Sequence, residues 1–75
     1  MHLNYKVLLY KAEEGGFTVT VPALPGCITE GDNLDEALKR AKEVIELYVE
    51  ELKSRGEEIP DDSETLEYSM HLATA

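Results

Sequence analysis

An α+β fold in the order β-β-β-α-β, with a small antiparallel-rich sheet packed against one long helix, is what this 75-residue sequence predicts. Three observations carry that prediction. Short runs near both ends of the chain alternate apolar and polar residues, the pattern of half-buried strands. Between them, over 34–55, apolar positions recur at steps of three and four, which is one face of a helix. Glycine and proline stand at the joins, where the backbone must turn or stop pairing.

Each element has a local reason. In 3–11, Leu3, Tyr5, Val7 and Leu9 share one face at period two, and Asn4, Lys6, Leu8 and Tyr10 share the other. Leu8 and Tyr10 leave that second face only partly polar. AEEGG follows, and Gly15 and Gly16 can take the positive φ of a tight turn. Phe17, Val19 and Val21 then alternate with Thr18 and Thr20, so the first two runs read as a hairpin. Pro22 lacks the N–H needed to continue the ladder. Pro25-Gly26 turns the chain, and CITE at 27–30 is a short third strand broken by Gly31 and Asp32. Asn33 is placed to cap a helix, with Glu36 three residues on to bond back to the cap backbone.

The helix stripe is Leu34, Ala37, Leu38, Ala41, Val44, Ile45, Tyr48, Val49 and Leu52, with Lys39, Lys42, Glu43, Glu46, Glu50 and Lys53 outside. Gly56 is the stop. Its length at 1.5 Å per residue is roughly 33 Å, enough to cross a small sheet. Pro60 sits in an acidic connection, and TLEYSMHL at 65–72 alternates again, with Leu66, Tyr68, Met70 and Leu72 on one face. That run is the expected fourth strand.

The chain is one domain, 1–75, and a domain this small has little core, so self-association or a bound partner is the expected extra support. Seven Lys plus Arg against sixteen Asp plus Glu give a net charge of −9. Phosphate backbones disfavour such a field, so direct nucleic-acid binding is not expected; a basic protein partner suits it. No run approaches the roughly 20 apolar residues of a membrane span, and the N-terminal residues are not a secretory signal. The single cysteine, Cys27, forms no internal disulfide and fits a reducing cytoplasm.

The chemistry-bearing residues do not assemble into a pattern. Cys27 has no base placed beside it, and His2 and His71 lie in the terminal strands. Two histidines without a third ligand at a defined spacing make no metal site. The acidic pairs, Glu13-Glu14, Glu50-Glu51, Glu57-Glu58 and Asp61-Asp62, fall in turns, a helix end and a loop, where neighbouring acids are ordinarily solvated. No catalytic residue, metal or cofactor is expected. A hydrolase using Cys27 with His2 or His71 is the weakest alternative.

The stretch VPALPGCITEGDNLDEAL, preceded by a Gly-Phe-Thr-Val strand and followed by AKEVIELYVEEL, resembles the HicB-like antitoxin family. The spacing of Pro22, Leu24, Pro25, Gly26 and Cys27, then Glu30, Gly31, Leu34, Glu36 and Ala37, carries the resemblance, which extends over about 5–60. It implies a partly formed RNase H-like fold without the acidic catalytic set of RNase H enzymes. It also implies binding and neutralisation of a small basic HicA-type RNase toxin, and assembly as a dimer or tetramer. Many members carry a further C-terminal DNA-binding segment; this sequence stops at Ala75, so the resemblance is to a short member with the partial RNase H-like domain alone.

Pro22, Pro25, Gly26, Gly31, Asn33 and Glu36 are expected to shape the motif. Leu24 and Pro25 on the turn, with Glu43, Glu46 and Glu50 on the helix, are the expected partner-binding residues. The alternative function is a self-assembling domain with a structural or small-ligand role.

Overall fold

The computed structural model describes residues 2–75. Three strands, β1 (Leu8–Lys11), β2 (Phe17–Thr20) and β3 (Ile28–Gly31), precede one helix, α1 (Leu34–Ser54). The sheet is antiparallel in the order β1-β2-β3, and α1 packs most closely on β3 and then on β2. The α+β class with a small sheet against a long helix is therefore the observed fold.

The first two strands are shorter than their alternating runs, and the third has the expected four residues moved on by one. Leu8 pairs with Thr20, so the register continued two residues back would set Lys6 opposite Pro22, which has no N–H to give. The ladder stops there, and 3–7 stays outside it. Beyond Thr20 the chain closes on itself. Val21 N–H donates to the Cys27 carbonyl, Leu24 N–H to that of Val21, and Cys27 N–H to that of Leu24, at 2.9–3.1 Å. The Tyr48 hydroxyl on α1 donates to the Pro25 carbonyl at 2.8 Å and fixes the turn to the helix.

Gly31 belongs to β3 and does not break it. Its function is steric, since a Cβ there would collide with the backbone of Ala37, 2.6 Å from its Cα. Only glycine lets the first turn of α1 sit directly on β3. Gly16, at φ +83°, shapes the hairpin, and a Cβ on it would lie 2.7 Å from the Gly31 carbonyl oxygen.

Asn33 caps α1 as expected, its Oδ1 accepting from Glu36 N–H at 2.8 Å. The Glu36 carboxylate accepts from the Asp32 N–H at 3.4 Å, one residue earlier than the capping-box pattern anticipates. At the far end Gly56 N–H donates to the Lys53 carbonyl and Glu57 N–H to that of Leu52, a Schellman closure made possible by the positive φ of Gly56.

The core has two parts. Val19, Ala37 and Ala41 form one, with Val7, Leu9 and Phe17 around it. Val21, Leu24 and Cys27 form the other, covered by Tyr5, Val7, Val44, Ile45, Tyr48 and Leu52. Fully burying a side chain such as Leu24 or Val19 contributes about 2 kcal/mol.

The expected final strand is the one element that does not form. Residues 57–63 return along the start of the chain and are clasped there. Asp62 N–H donates to the Asn4 carbonyl at 2.8 Å, Lys6 N–H to the Asp62 carboxylate at 2.9 Å, and Tyr5 OH to the Pro60 carbonyl at 2.7 Å. Residues 65–72 then run on without a ladder partner. Leu66, Tyr68, Met70 and Leu72 are 93, 82, 81 and 77 % exposed. A strand is completed by a neighbouring edge, and this segment pairs with neither edge of the three-stranded sheet.

Candidate functional site

α1 is the element that presents charge. Its inner stripe is fixed by the sheet, so 43, 46 and 50, at steps of three and four, fall together on the outer side. Glu43, Glu46 and Glu50 are exposed. None has an ion-pair partner among the described residues, whose pairs are Glu36 with Arg40, and Arg55 with Glu51 and Glu57. Lys39, Lys42 and Lys53 share this outer side with the three glutamates without making an ion pair, so the face is charged and mixed, while the chain as a whole is strongly acidic. Beside them a shallow groove between α1 and the start of the chain is lined by Leu3, Tyr5, Ile45 and Val49, with Glu46, Glu50 and Lys53 also lining it.

The turn residues separate. Pro25 is exposed and held against α1 by Tyr48. Leu24 is not on the surface: it is 1 % exposed, turned inward by the hydrogen bonds that close the 21–27 loop, and is one of the two largest fully buried side chains. It shapes the site from beneath and offers nothing to a partner. The structure thus brings the three glutamates together, keeps Pro25 at the surface, and assigns Leu24 to the core.

A second surface escaped sequence reasoning. Ile28 and Leu47 are 61 and 66 % exposed and stand at one apolar shelf with Cys27, Val44 and Tyr48, where α1 overhangs the free edge of β3. Leu47 lies off the stepwise stripe of α1. A large apolar residue out of phase with its stripe was the legible sign of it.

The nucleophile candidate is poorly placed for catalysis. Cys27 is 5 % exposed and packed with Val21 and Leu24. Burial pushes its thiol pKa up, which opposes formation of the thiolate that would attack. His2 and His71 are exposed on the terminal segments. Among the described residues no three His, Cys, Asp or Glu side chains converge to hold a metal ion, and no helix is long and apolar enough to cross a membrane.

The arrangement defines a small acidic α+β domain whose chemistry is that of its surfaces. A family model described as the HicB_like antitoxin of bacterial toxin-antitoxin system matches residues 5–73, and the chain belongs to that family. A UPF0150 protein of Thermoplasma acidophilum is 48% identical over 81% of this chain and 88% of its own length. A UPF0150 protein of Synechocystis is 41% identical over 79% of this chain and 75% of that protein. Antitoxin HicB 1 of Photorhabdus laumondii is 36% identical over 79% of this chain, a match that spans 38% of that protein.

Proposed function

We propose that this chain is a non-enzymatic binding module that captures and neutralises a small basic RNase of the HicA toxin type. The family gives the toxin-antitoxin role. The observation that supports the finer reading is the row Glu43, Glu46 and Glu50, three exposed carboxylates on one helix face that make no ion pair among the described residues. A chain of net charge −9 attracts a basic partner and leaves nucleic acid to that partner. Pro25 and the groove lined in part by Glu46 and Glu50 add apolar contact beside the charge. The pair acts in the cytoplasm, where the toxin's RNA substrate lies.

The test is capture from a lysate of the native host at low and at high salt. The expected result is a stoichiometric small basic protein whose nuclease activity is silenced on binding and whose release tracks rising salt. Changing Glu43, Glu46 and Glu50 together to Lys should abolish capture while leaving the circular dichroism of the fold unchanged. Recovery of the chain alone, at every salt concentration, would overturn the reading.

A further inference from the structure

We propose that residues 60–63 are a gate on the groove between α1 and the start of the chain: they hold Leu3 and Tyr5 in place as its outer wall, with Asp62 as the pivot. What the groove receives rests on the antitoxin reading; how its wall is held does not.

The wall is a segment that bonds to nothing else. Residues 3–7 precede β1 and pair with no strand. Each hydrogen bond that the structure gives to 3–6 goes to 60–63. The Tyr5 hydroxyl donates to the Pro60 carbonyl at 2.7 Å, the Asn4 side-chain amide to the Ser63 hydroxyl at 3.0 Å, and Lys6 N–H to the Asp62 carboxylate at 2.9 Å. The Asn4 carbonyl accepts from Asp62 N–H at 2.8 Å.

Packing secures only part of this segment. Val7 packs against both core clusters and Tyr5 against the second, but Leu3 packs against neither. Leu3 lines the groove with Ile45 and Val49. Val49 is only 8 % exposed and also belongs to neither cluster, so its cover on the groove side is the wall.

Asp62 is the pivot because three of its groups are engaged at once. Its N–H holds Asn4, its carboxylate holds Lys6, and its carbonyl accepts from Thr65 N–H at 2.9 Å. The last of these bonds begins the exposed run 65–72. Opening at Asp62 therefore frees Asn4, Lys6 and Thr65 together, and movement of 65–72 is transmitted to Leu3 and Tyr5. With the gate shut, the apolar lining is formed before a partner arrives, which removes an ordering cost from binding. A partner side chain seated against Leu3 and Val49 holds the gate shut in return, since coupling between two sites is reciprocal.

Amide exchange and methyl nuclear magnetic resonance of the free full chain test this. Protection of the Lys6, Asp62 and Thr65 amides should agree within about 3-fold, because one opening exposes all three. Cross-peaks from the Leu3 methyls to Ile45 or Val49 should be present in the native chain and in Asp62→Asn, whose amide oxygen still accepts from Lys6 N–H. In Asp62→Ala those cross-peaks should vanish and the three amides should exchange about 10-fold faster. Tyr5→Phe keeps the ring and loses only the bond to Pro60, so it should shift the same amides in the same direction by less. All three variants should keep the native circular dichroism, since β1–β3 and α1 contain neither residue. A wider spread of protection overturns the single gate, as do Leu3 cross-peaks that persist in Asp62→Ala or an Asp62→Asn chain that behaves as Asp62→Ala. A captured basic protein should leave Asp62→Ala about 10-fold faster than the native chain, and equal release would overturn the gate's part in binding. Failure to capture any protein bears on the antitoxin reading and leaves the measurements on the free chain standing.

Discussion

The runs 17–20 and 65–72 share one kind of pattern and meet opposite fates. In β2, Val19 is fully buried between two neighbouring strands and beneath α1. In 65–72, with the same alternation and more apolar bulk, every side chain is exposed. The difference lies in what each run can reach. A five-residue hairpin connection, 12–16, delivers β2 to β1, and the self-bonded 21–27 loop delivers β3 to β2. The clasp of Pro60 and Asp62 on Tyr5, Asn4 and Lys6 delivers the last run to open solvent. Alternation specifies which side chains share a face; only an available edge makes the run a strand.

That contrast can be broken or sharpened by substitution. The largest effect is expected at Leu24, where Leu24→Ala should cost about 3 kcal/mol, over half of the roughly 5 kcal/mol available to a domain this small. Urea denaturation should show the midpoint falling accordingly. In dilute solution Leu66→Ala should change the midpoint by less than about 0.5 kcal/mol. Equal effects at the two leucines would erase the distinction drawn here.

Gly31→Ala comes next, at about 2 kcal/mol, because the added methyl meets backbone that cannot swing aside. Asn33→Ala should cost about 1 kcal/mol by removing the cap on Glu36 N–H, and Asn33→Asp should retain most of it. Thermal unfolding followed at 222 nm separates these from the native chain.

The smallest effect concerns the clasp and its pH dependence. Hydrogen bonds from the Ser63 hydroxyl and N–H lower the pKa of Asp61 below the ordinary carboxylate value. A carboxylate whose folded pKa is depressed contributes above its unfolded pKa, and that contribution is lost as pH falls through the folded value. Acidification through and below the usual aspartate range should therefore loosen 60–63 while the sheet and helix stay folded. Nuclear magnetic resonance of the Ser63 amide should report this first, and Asp61→Asn should remove the pH dependence. Tyr5 remains a donor throughout, since burial above all, and then Asp61 and Asp62, raise its phenol pKa.

Much of the fold was legible. The period-two and period-three-to-four patterns located the three strands and the helix, and Asn33 and Gly56 marked its ends within a residue. The resemblance carried by Pro22 through Ala37 led to the family that the matches then showed. The first two strands were overestimated in length, because the position of Pro22 against Lys6 is a matter of register and not of composition. The partner-binding residues were legible only in part. Helical spacing put Glu43, Glu46 and Glu50 on one face, but nothing local to the sequence said that the loop hydrogen bonds would turn Leu24 inward and leave Pro25 outside.

By itself the sequence determined the periodicities, the cap, the turn glycines and a charge of −9, since each depends on neighbours within a few residues. Tertiary structure alone decided the close seat of α1 on Gly31, the burial of Leu24, the shelf at Ile28 and Leu47, and the unpaired state of 65–72. These depend on which surfaces meet across the sheet, and contact between residues distant in the chain is set by how the elements pack together.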